Sequence, residues 1–258
     1  MESILFEKIG GVAKITLNRP NVFNSFNREM ALAFQQRLDE CEKDDTIRAI
    51  YITGEGRAFC AGQDLAEAID PNGPELTKIV SEHYNPIISR LRKIEKPIVG
   101  AVNGVAAGAG ANIALACDIC VATESASFIQ AFSKIGLIPD SGGTYFLPRI
   151  IGLQKASALT MLGDKVSAKD AEQMGMIYKS FSDDTFKDES FKIAETLSKM
   201  PTKGIGLTKR ALNESYNNTL EQQLKLEDEL QTAAGKTHDY NEGVNAFLEK
   251  RKPEFKGN

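Results

Sequence analysis

The 258-residue sequence contains no tryptophan, two histidines and four cysteines. Only Cys117 and Cys120 form a CxxC pair, and two histidines are too few to complete a zinc site of the usual kind. Cys117 ends an apolar helix-like run, and Cys120 lies in an apolar strand-like run. We therefore predict buried structural thiols in a reducing compartment, and no metal site.

The sequence also lacks a basic excess, a secretory signal and a long apolar run. Its formal net charge is −4, whereas a nucleic-acid-binding protein needs a basic face. The N-terminus shows no basic region followed by an apolar one, and no apolar run is long enough to cross a bilayer. The C-terminal Lys-Gly-Asn is not a peroxisomal address. We expect a soluble cytoplasmic protein without nucleic-acid or membrane partners.

Strand and helix patterns alternate along the first part of the chain. Two strands around Gly10-Gly11 predict a hairpin, and Ser25 is the expected N-cap of a helix from about Arg28 to Glu42. A helix interrupted at Pro86 should end near Ile94. Short buried strands are expected at 49–53, 98–102 and 118–122. This β–α–β–α order predicts an α/β fold with a largely parallel sheet.

The character of the sequence changes after Gly152. Strand signals fade apart from residues 176–181, and helical patterns continue to about Lys250. We expect a core over residues 1–195, followed by a helical C-terminal region over 196–258. No flexible linker separates them.

Three segments carry the chemical signals, namely Ala58–Leu65 (AFCAGQDL), Val102–Ala114 (VNGVAAGAGANIA) and Gly136–Thr144 (GLIPDSGGT). The first two place backbone N–H groups in small-residue turns that leave room for a ligand. The second also opens a helix, whose N-terminus carries a partial positive charge. Two such N–H groups that converge on one point would form an oxyanion hole. The third segment is a turn that should open another helix.

Together these segments resemble the crotonase (enoyl-CoA hydratase/isomerase) superfamily. The likeness runs from Ile15–Pro20 (ITLNRP) to Glu242–Arg251 (EGVNAFLEKR), and Phe132–Thr144 is its most informative block. Within the superfamily, residues 102–111 and 213–228 are most similar to the ring-epoxide isomerases of aerobic phenylacetate breakdown. Such enzymes convert 2-(1,2-epoxy-1,2-dihydrophenyl)acetyl-CoA to an oxepin-CoA and also shift enoyl-CoA double bonds.

The resemblance implies a spiral of ββα units with C-terminal helices that assemble trimers, or hexamers made of two trimers. It implies that the thioester oxygen of an acyl-CoA lies between the N–H groups of Gln63 and Ala109. No separate cofactor is implied, because coenzyme A is part of the substrate. By motif position, Ala61, Asp64 and Leu65 would bind the coenzyme. Phe247 and Lys250 would reach the coenzyme of a neighbouring subunit.

Departures from the family pattern narrow the expected activity. The two glutamates of the hydratases fall on Asn112 and Phe132 here, and neither side chain is a general acid or base. Both residues should line the acyl pocket. Asp140 remains, at a turn where several non-hydratase members carry their working carboxylate. One acid–base group and an oxyanion hole suffice for an isomerase that removes an α-proton and returns a proton elsewhere. Asn112 also replaces the threonine expected in the phenylacetate enzymes.

Asp140 has a second interpretation, because Asp before a probable helix start is a common N-cap. The two roles conflict, since capping bonds lower the pKa of a carboxyl, whereas an apolar pocket raises it. Phe128, Phe132 and Ile138 could supply such a pocket. The missing glutamates and the family likeness favour the catalytic role.

Other interpretations remain beside the isomerase. Residues 104–110 imitate a dinucleotide-binding turn, but the GxGxxG spacing is broken at Ile113 and the candidate acid, Glu124, follows too closely. Another isomerase of the family, or a catalytically silent acyl-CoA-binding member, would keep the two amides. Tyr84 and His83 fall in the region that usually shapes the acyl pocket, although a surface position explains His83 equally well. His238 should be solvated.

Overall fold

A computed structural model describes residues 2–258 as ten strands in two sheets, with helices around them. One sheet contains β1 (Ile4–Ile9), β2 (Val12–Leu17), β3 (Ala49–Gly54), β5 (Ile98–Val102), β7 (Ile119–Thr123) and β10 (Lys179–Phe181). The other contains β4 (Ala58–Cys60), β6 (Val105–Ala107), β8 (Ser127–Ile129) and β9 (Lys165–Ser167). The strand orders are β1-β2-β3-β5-β7-β10 and β4-β6-β8-β9.

Three successive units each give one strand to both sheets, as β3 and β4, β5 and β6, and β7 and β8. Strands that are neighbours within a sheet pair in parallel, apart from the β1–β2 hairpin and the β8–β9 pair. The path is a spiral of ββα turns, so the expected fold class is confirmed. The three-residue strands of the smaller sheet were not predicted, because so short a segment carries no readable periodicity.

The helices follow the strands of each unit and then take over the C-terminal part. They are α1 (Arg28–Lys43), α2 (Leu65–Ala68), α3 (Leu76–Lys78), α4 (Asn85–Lys93), α5 (Ala109–Leu115), α6 (Gly143–Ile151), α7 (Leu153–Leu162), α8 (Ala168–Gln173), α9 (Phe186–Ser198), α10 (Thr202–Glu214), α11 (Leu220–Ala234) and α12 (His238–Leu248). A π-helical stretch, Ile79–Tyr84, joins α3 to α4. Among residues 2–258, no helix combines the length and the apolarity needed to cross a membrane.

Helix α1 begins at Arg28 as predicted, but a different residue caps it. Its N-cap is Asn27, whose side chain accepts a hydrogen bond from the Met30 amide at 3.0 Å. Ser25 instead donates its hydroxyl to the Val22 carbonyl at 2.8 Å. The predicted cap is wrong because Asn27 directly precedes the first helical residue, whereas the Ser25 hydroxyl is used in the turn before it.

The central strands of the larger sheet, β2, β3, β5 and β7, are mostly buried on both faces, which explains their apolar runs. Along β3, Ile50 and Ile52 belong to the main core, which also contains side chains of the smaller sheet. Tyr51 points the other way and packs with residues of α9, where its hydroxyl lies 2.8 Å from Ser190. The period-two alternation of strand side chains produces this division.

The four cysteines are free and buried, as predicted. Burial raises the pKa of the Cys41, Cys60 and Cys117 thiols to about 12. These thiols are therefore protonated and unreactive near neutral pH, because the thiolate is the nucleophilic form.

Helix α10 is fastened to the body by a buried ion pair. The Lys209 ammonium, whose side chain is 5% exposed, lies 2.8 Å from the Asp118 carboxylate and also donates to the Leu91 carbonyl at 2.7 Å. Burial lowers the pKa of Lys209, and the negative charge of Asp118 opposes this shift. Asp118 also accepts hydrogen bonds from Arg92 and from the Ile98 amide.

Replacing Asp118 by alanine should lower the free energy of unfolding by about 3–5 kcal/mol, because Lys209 would stay buried without its counter-charge. Glu249→Ala is the control, since Glu249 pairs with Arg251 at the exposed surface and its loss should cost less than about 1 kcal/mol. Urea denaturation of both variants at one protein concentration measures the difference. Equal losses would contradict the role given to this ion pair.

Candidate active site

Strand pairing brings the first two chemical segments together. β4 and β6 pair in parallel, so the loop that follows Cys60 lies beside the turn that opens α5. Gly110 permits the closest contact, because a Cβ at this position would overlap the carbonyl oxygen of Cys60. The N-terminus of α5 is therefore held directly against the end of β4.

The backbone N–H of Gln63 points into this junction. The Phe26 amide donates to the Gly62 carbonyl at 2.7 Å, and the Asp64 amide donates to the Phe26 carbonyl at 2.8 Å. Since successive peptide groups of an extended segment face opposite sides, the N–H of Gln63 faces away from Phe26. It has no acceptor among residues 2–258.

The N–H of Ala109 lies on the facing loop. Ala109 is the first residue of α5, and its amide also lacks an acceptor within the described chain. Gly62 has a φ of +94°, and a Cβ there would lie 3.0 Å from the Ala107 carbonyl oxygen and 3.5 Å from the Ala109 nitrogen. Glycine at 62 thus permits both the left-handed turn and the close approach. Two unpaired amides on adjacent loops are the arrangement of an oxyanion hole.

The Gln63 side chain is fixed by a hydrogen-bond chain. The Tyr84 hydroxyl donates to Oε1 of Gln63 at 2.9 Å, and Nε2 of Gln63 donates to Glu67 at 3.0 Å. Burial raises the pKa of Tyr84 well above its ordinary value, and the Cys60 thiol and the Asp140 carboxylate add to the shift. Tyr84 is therefore a neutral donor that lies within electrostatic reach of Asp140.

His83 is fully buried, so the surface position considered for it is wrong. Its Nε2 lies 3.4 Å from the guanidinium of Arg28, and its Nδ1 has no hydrogen-bond partner in the part of the chain that is described. Burial lowers the pKa of the imidazole, which is thus neutral at pH 7. The π-helical stretch explains the error, because its wider turn places both His83 and Tyr84 inside.

Asp140 lies at the start of a tight turn before α6. Its carbonyl accepts the Gly143 amide at 2.8 Å, and the two central residues, Ser141 and Gly142, have φ of 51° and 75°. Gly142 is the N-cap of α6, and no side chain caps this helix. The N-cap interpretation of Asp140 is therefore wrong, because two left-handed residues separate its carboxylate from the helix.

The Asp140 carboxyl is half-buried, and few hydrogen-bond donors stabilise its negative charge. Burial raises its pKa above the ordinary value, and the hydrogen bond that Ser141 donates to Oδ1 at 2.9 Å opposes the shift only in part. No cationic side chain of residues 2–258 forms an ion pair with it. A carboxylate with a raised pKa is suited to exchanging protons with a substrate near neutral pH.

Of the three apolar residues expected around Asp140, two are buried and one is exposed. Phe128 and Phe132 are buried, and the Phe132 ring comes within 3.7 Å of the position of a Cβ on Gly108, in the turn before Ala109. Ile138 is 81% exposed, so its expected contribution to the pocket wall is wrong. It precedes Pro139, and the chain there runs along the surface before it turns inward at Asp140.

Asn112 lies one helical turn beyond Ala109 and is 1% exposed. Its Nδ2 donates to the carbonyl of Asp140 at 2.9 Å, and its Oδ1 accepts from Gln130 at 2.8 Å. The side chain thus contacts the turn that carries Asp140. No sequence signal connected Gln130 with this site, because the contact joins the residue after β8 to a helix far from it in sequence.

The residues expected to bind the coenzyme flank the two-amide junction on its exposed side. Ala61 is exposed and Leu65 is 58% exposed. Asp64 is already engaged, because it caps α2 by accepting from the Ala66 amide and pairs with Arg19 at 2.8 Å. Its carboxylate therefore shapes the loop.

Phe247 and Lys250 lie at the far end of the chain, at and just beyond the end of α12. The Phe247 side chain is 82% exposed, and Lys250 is exposed with a left-handed φ of 55°. His238, at the start of the same helix, is exposed as predicted.

Comparisons with known proteins agree with this geometry. The family profile described as enoyl-CoA hydratase/isomerase matches residues 7–258. The chain is 50% identical to the 1,2-epoxyphenylacetyl-CoA isomerase of Escherichia coli K12, over 100% of this chain and 99% of that protein. It is 35% identical to the trans-2-decenoyl-[acyl-carrier-protein] isomerase of Streptococcus mutans, over 99% and 98% of the two chains.

Solved structures give the same result. An enoyl-CoA hydratase from Bacillus anthracis superposes with a TM-score of 0.92 at 30% sequence identity, and the match covers 99% of this chain and 100% of that one. The expected superfamily is thereby confirmed from both sequence and fold. The chain belongs to the enoyl-CoA hydratase/isomerase family.

Proposed function

We propose that this chain is an acyl-CoA isomerase in which Asp140 transfers the proton and the amides of Gln63 and Ala109 hold the thioester oxygen. One observation carries the proposal, namely two unpaired amides on adjacent loops together with a half-buried carboxyl of raised pKa. Full-length similarity to an epoxyphenylacetyl-CoA isomerase supports the isomerase class and a role in phenylacetate catabolism.

The proposed reaction needs only these groups. The Asp140 carboxylate removes a proton from the α-carbon, and the electron pair of the broken C–H bond moves onto the thioester oxygen, where the two amides stabilise the enolate. For a β,γ-enoyl thioester, Asp140 then returns the proton to the γ-carbon, which leaves an α,β double bond. The same α-proton removal can begin the conversion of 2-(1,2-epoxy-1,2-dihydrophenyl)acetyl-CoA to oxepin-CoA.

Hydration is the main competing activity, because similar proteins include hydratases. Adding water across a double bond requires groups that activate the water and deliver its proton. The candidate positions hold the amide of Asn112 and the ring of Phe132, and neither side chain titrates. The isomerase assignment is therefore favoured.

We place the coenzyme along Ala61, Asp64 and Leu65, with Phe247 and Lys250 reaching the coenzyme of a neighbouring subunit. Their exposure in one chain supports this arrangement. We further propose a homotrimer or hexamer in the cytoplasm, without a separate cofactor. Residues 1–195 would form the core with the coenzyme site and 196–258 the helical region of subunit contacts, with the boundary in the last turn of α9.

Asp140→Asn should lower kcat by at least about a hundredfold on both the ring epoxide and a linear β,γ-enoyl thioester, because it removes the proton acceptor. Wild-type protein should also exchange the α-protons of phenylacetyl-CoA with deuterated water, and the variant should not. Chromatography of the products and NMR of the exchange measure these outcomes. A wild-type protein without exchange or turnover would indicate a silent binder, and a folded, active variant would remove Asp140 from the mechanism.

The raised pKa of Asp140 also predicts a pH dependence of stability. A carboxyl whose pKa is higher in the folded state binds more protons there, so its contribution to stability falls as pH rises from about 3.9, its unfolded value, through the folded value. Asp140→Asn removes this loss and should be relatively more stable at neutral pH than near pH 4. Thermal unfolding of both proteins across pH tests the sign, and a constant difference would contradict it.

A further inference from the structure

Asn112 ties the Asp140 turn to the helix that carries one of the two oxyanion amides. Ala109 begins α5, and Asn112 follows it by three residues, so both lie on one face of the same helical turn. Every residue of α5 is buried, which fixes the helix in the core. A hydrogen bond from Asn112 to Asp140 therefore fixes one end of the proton-transfer group relative to the oxyanion hole.

The orientation of the Asn112 amide follows from its partners. The main-chain carbonyl of Asp140 can only accept, so Nδ2 must face it, at 2.9 Å. Oδ1 then faces Gln130, which must donate through its own Nε2, at 2.8 Å. Asn112 and Gln130 are 1% and 4% exposed, so water does not compete for these bonds. Both ends of the Asn112 amide are occupied by protein.

The Asp140 turn needs such an external support. Ser141 adopts a left-handed φ of 51°, a conformation that is unfavourable for a non-glycine residue. Strained backbone of this kind persists only where its surroundings hold it. Gly143 closes the turn so tightly on Asn112 that a Cβ at 143 would overlap the Asn112 amide. Asn112 thus contacts the turn at its first and last residues.

We infer that Asn112, held by Gln130, is a positioning residue that sets where the Asp140 carboxylate lies relative to the oxyanion hole. The inference rests on the proposed role of Asp140. Asn112 acts through the main chain of Asp140 and does not touch the reacting atoms. The hydratases carry a glutamate at this position, whereas here Asn112 positions the proposed base, Asp140.

A double-mutant cycle tests this role, with Asn112→Leu made alone and in an Asp140→Asn background. Leucine keeps the approximate size and removes both hydrogen bonds. Asn112→Leu alone should lower kcat by about 10- to 100-fold with KM changed less than about threefold, because a base displaced by about 1 Å loses that much rate. In the Asp140→Asn background, the same change should leave the residual rate unaltered.

Asn213→Leu is the matched control, because Asn213 also donates its Nδ2 to a main-chain carbonyl, that of Arg92, at 2.9 Å, but lies in α10. It should lower stability without lowering kcat per folded molecule. If Asn112→Leu does not fold, Gln130→Met removes only the supporting bond and should reduce kcat several-fold in the same direction.

The results distinguish a failure of the positioning role of Asn112 from a failure of the proposed function. An equal loss from Asn112→Leu in both backgrounds, or an unchanged kcat in the folded Asn112 or Gln130 variant, would overturn the positioning role. An Asp140→Asn protein that keeps full turnover would overturn the proposed function itself. If the Asn213 control loses as much kcat as Asn112→Leu, Asn112 affects activity only through the stability of the fold, and the positioning role is wrong.

Discussion

The backbone of Gly110 lies against the carbonyl of Cys60, and the other features of the site depend on this contact between two chain segments. It exists because β4 and β6 pair in parallel and because glycine leaves no side chain between them. Gly62 permits the equivalent approach on the next loop, beside the Ala107 carbonyl. As a result, the amides of Gln63 and Ala109 lie on adjacent loops without partners.

Asp140, the proposed proton-transfer residue, is attached to the same helix. α5 presents Ala109 at its first turn and Asn112 one turn later, and Asn112 holds the strained turn of Asp140. Burial raises the pKa of both titratable groups beside this helix. Asp140 is half-buried without a cationic partner, and Tyr84 stays a neutral phenol. In the proposed mechanism, oxyanion binding and proton transfer thus both depend on one short buried helix.

The sequence alone was sufficient for the strands of the larger sheet and for most helices, because these rest on periodic patterns and on glycine turns. The family followed from the resemblance of particular segments to known members. It also suggested Asp140 as the proton-transfer residue, because the two glutamate positions of the hydratases hold Asn112 and Phe132. That role stays a prediction. The smaller sheet was missed because its strands are three residues long. The N-cap at Asn27 was missed because Ser25 is the more typical capping residue by sequence, but its hydroxyl is used in the turn before the helix.

Contacts between distant segments were the least predictable part. The burial of His83 results from a π-helical turn, for which no sequence rule exists, and the exposure of Ile138 results from the path of the loop before Asp140. The hydrogen bond between Gln130 and Asn112 joins residues 18 positions apart in different elements. Such pairs depend on where the residue after β8 lies relative to α5, which a local pattern does not encode.

The central claim is that the thioester oxygen binds between the two amides, and infrared spectroscopy tests it most directly. Phenylacetyl-CoA labelled with ¹³C at the thioester carbon should show its C=O stretch at lower wavenumber when bound than in water, because both N–H groups polarise the bond. The shift should be largely lost in Gly62→Ala, whose added Cβ separates the loops. It should persist in Gly10→Ala, which has a similar left-handed φ and open space around it. A bound carbonyl with the frequency found in water, or an undiminished shift in Gly62→Ala, would contradict the claim.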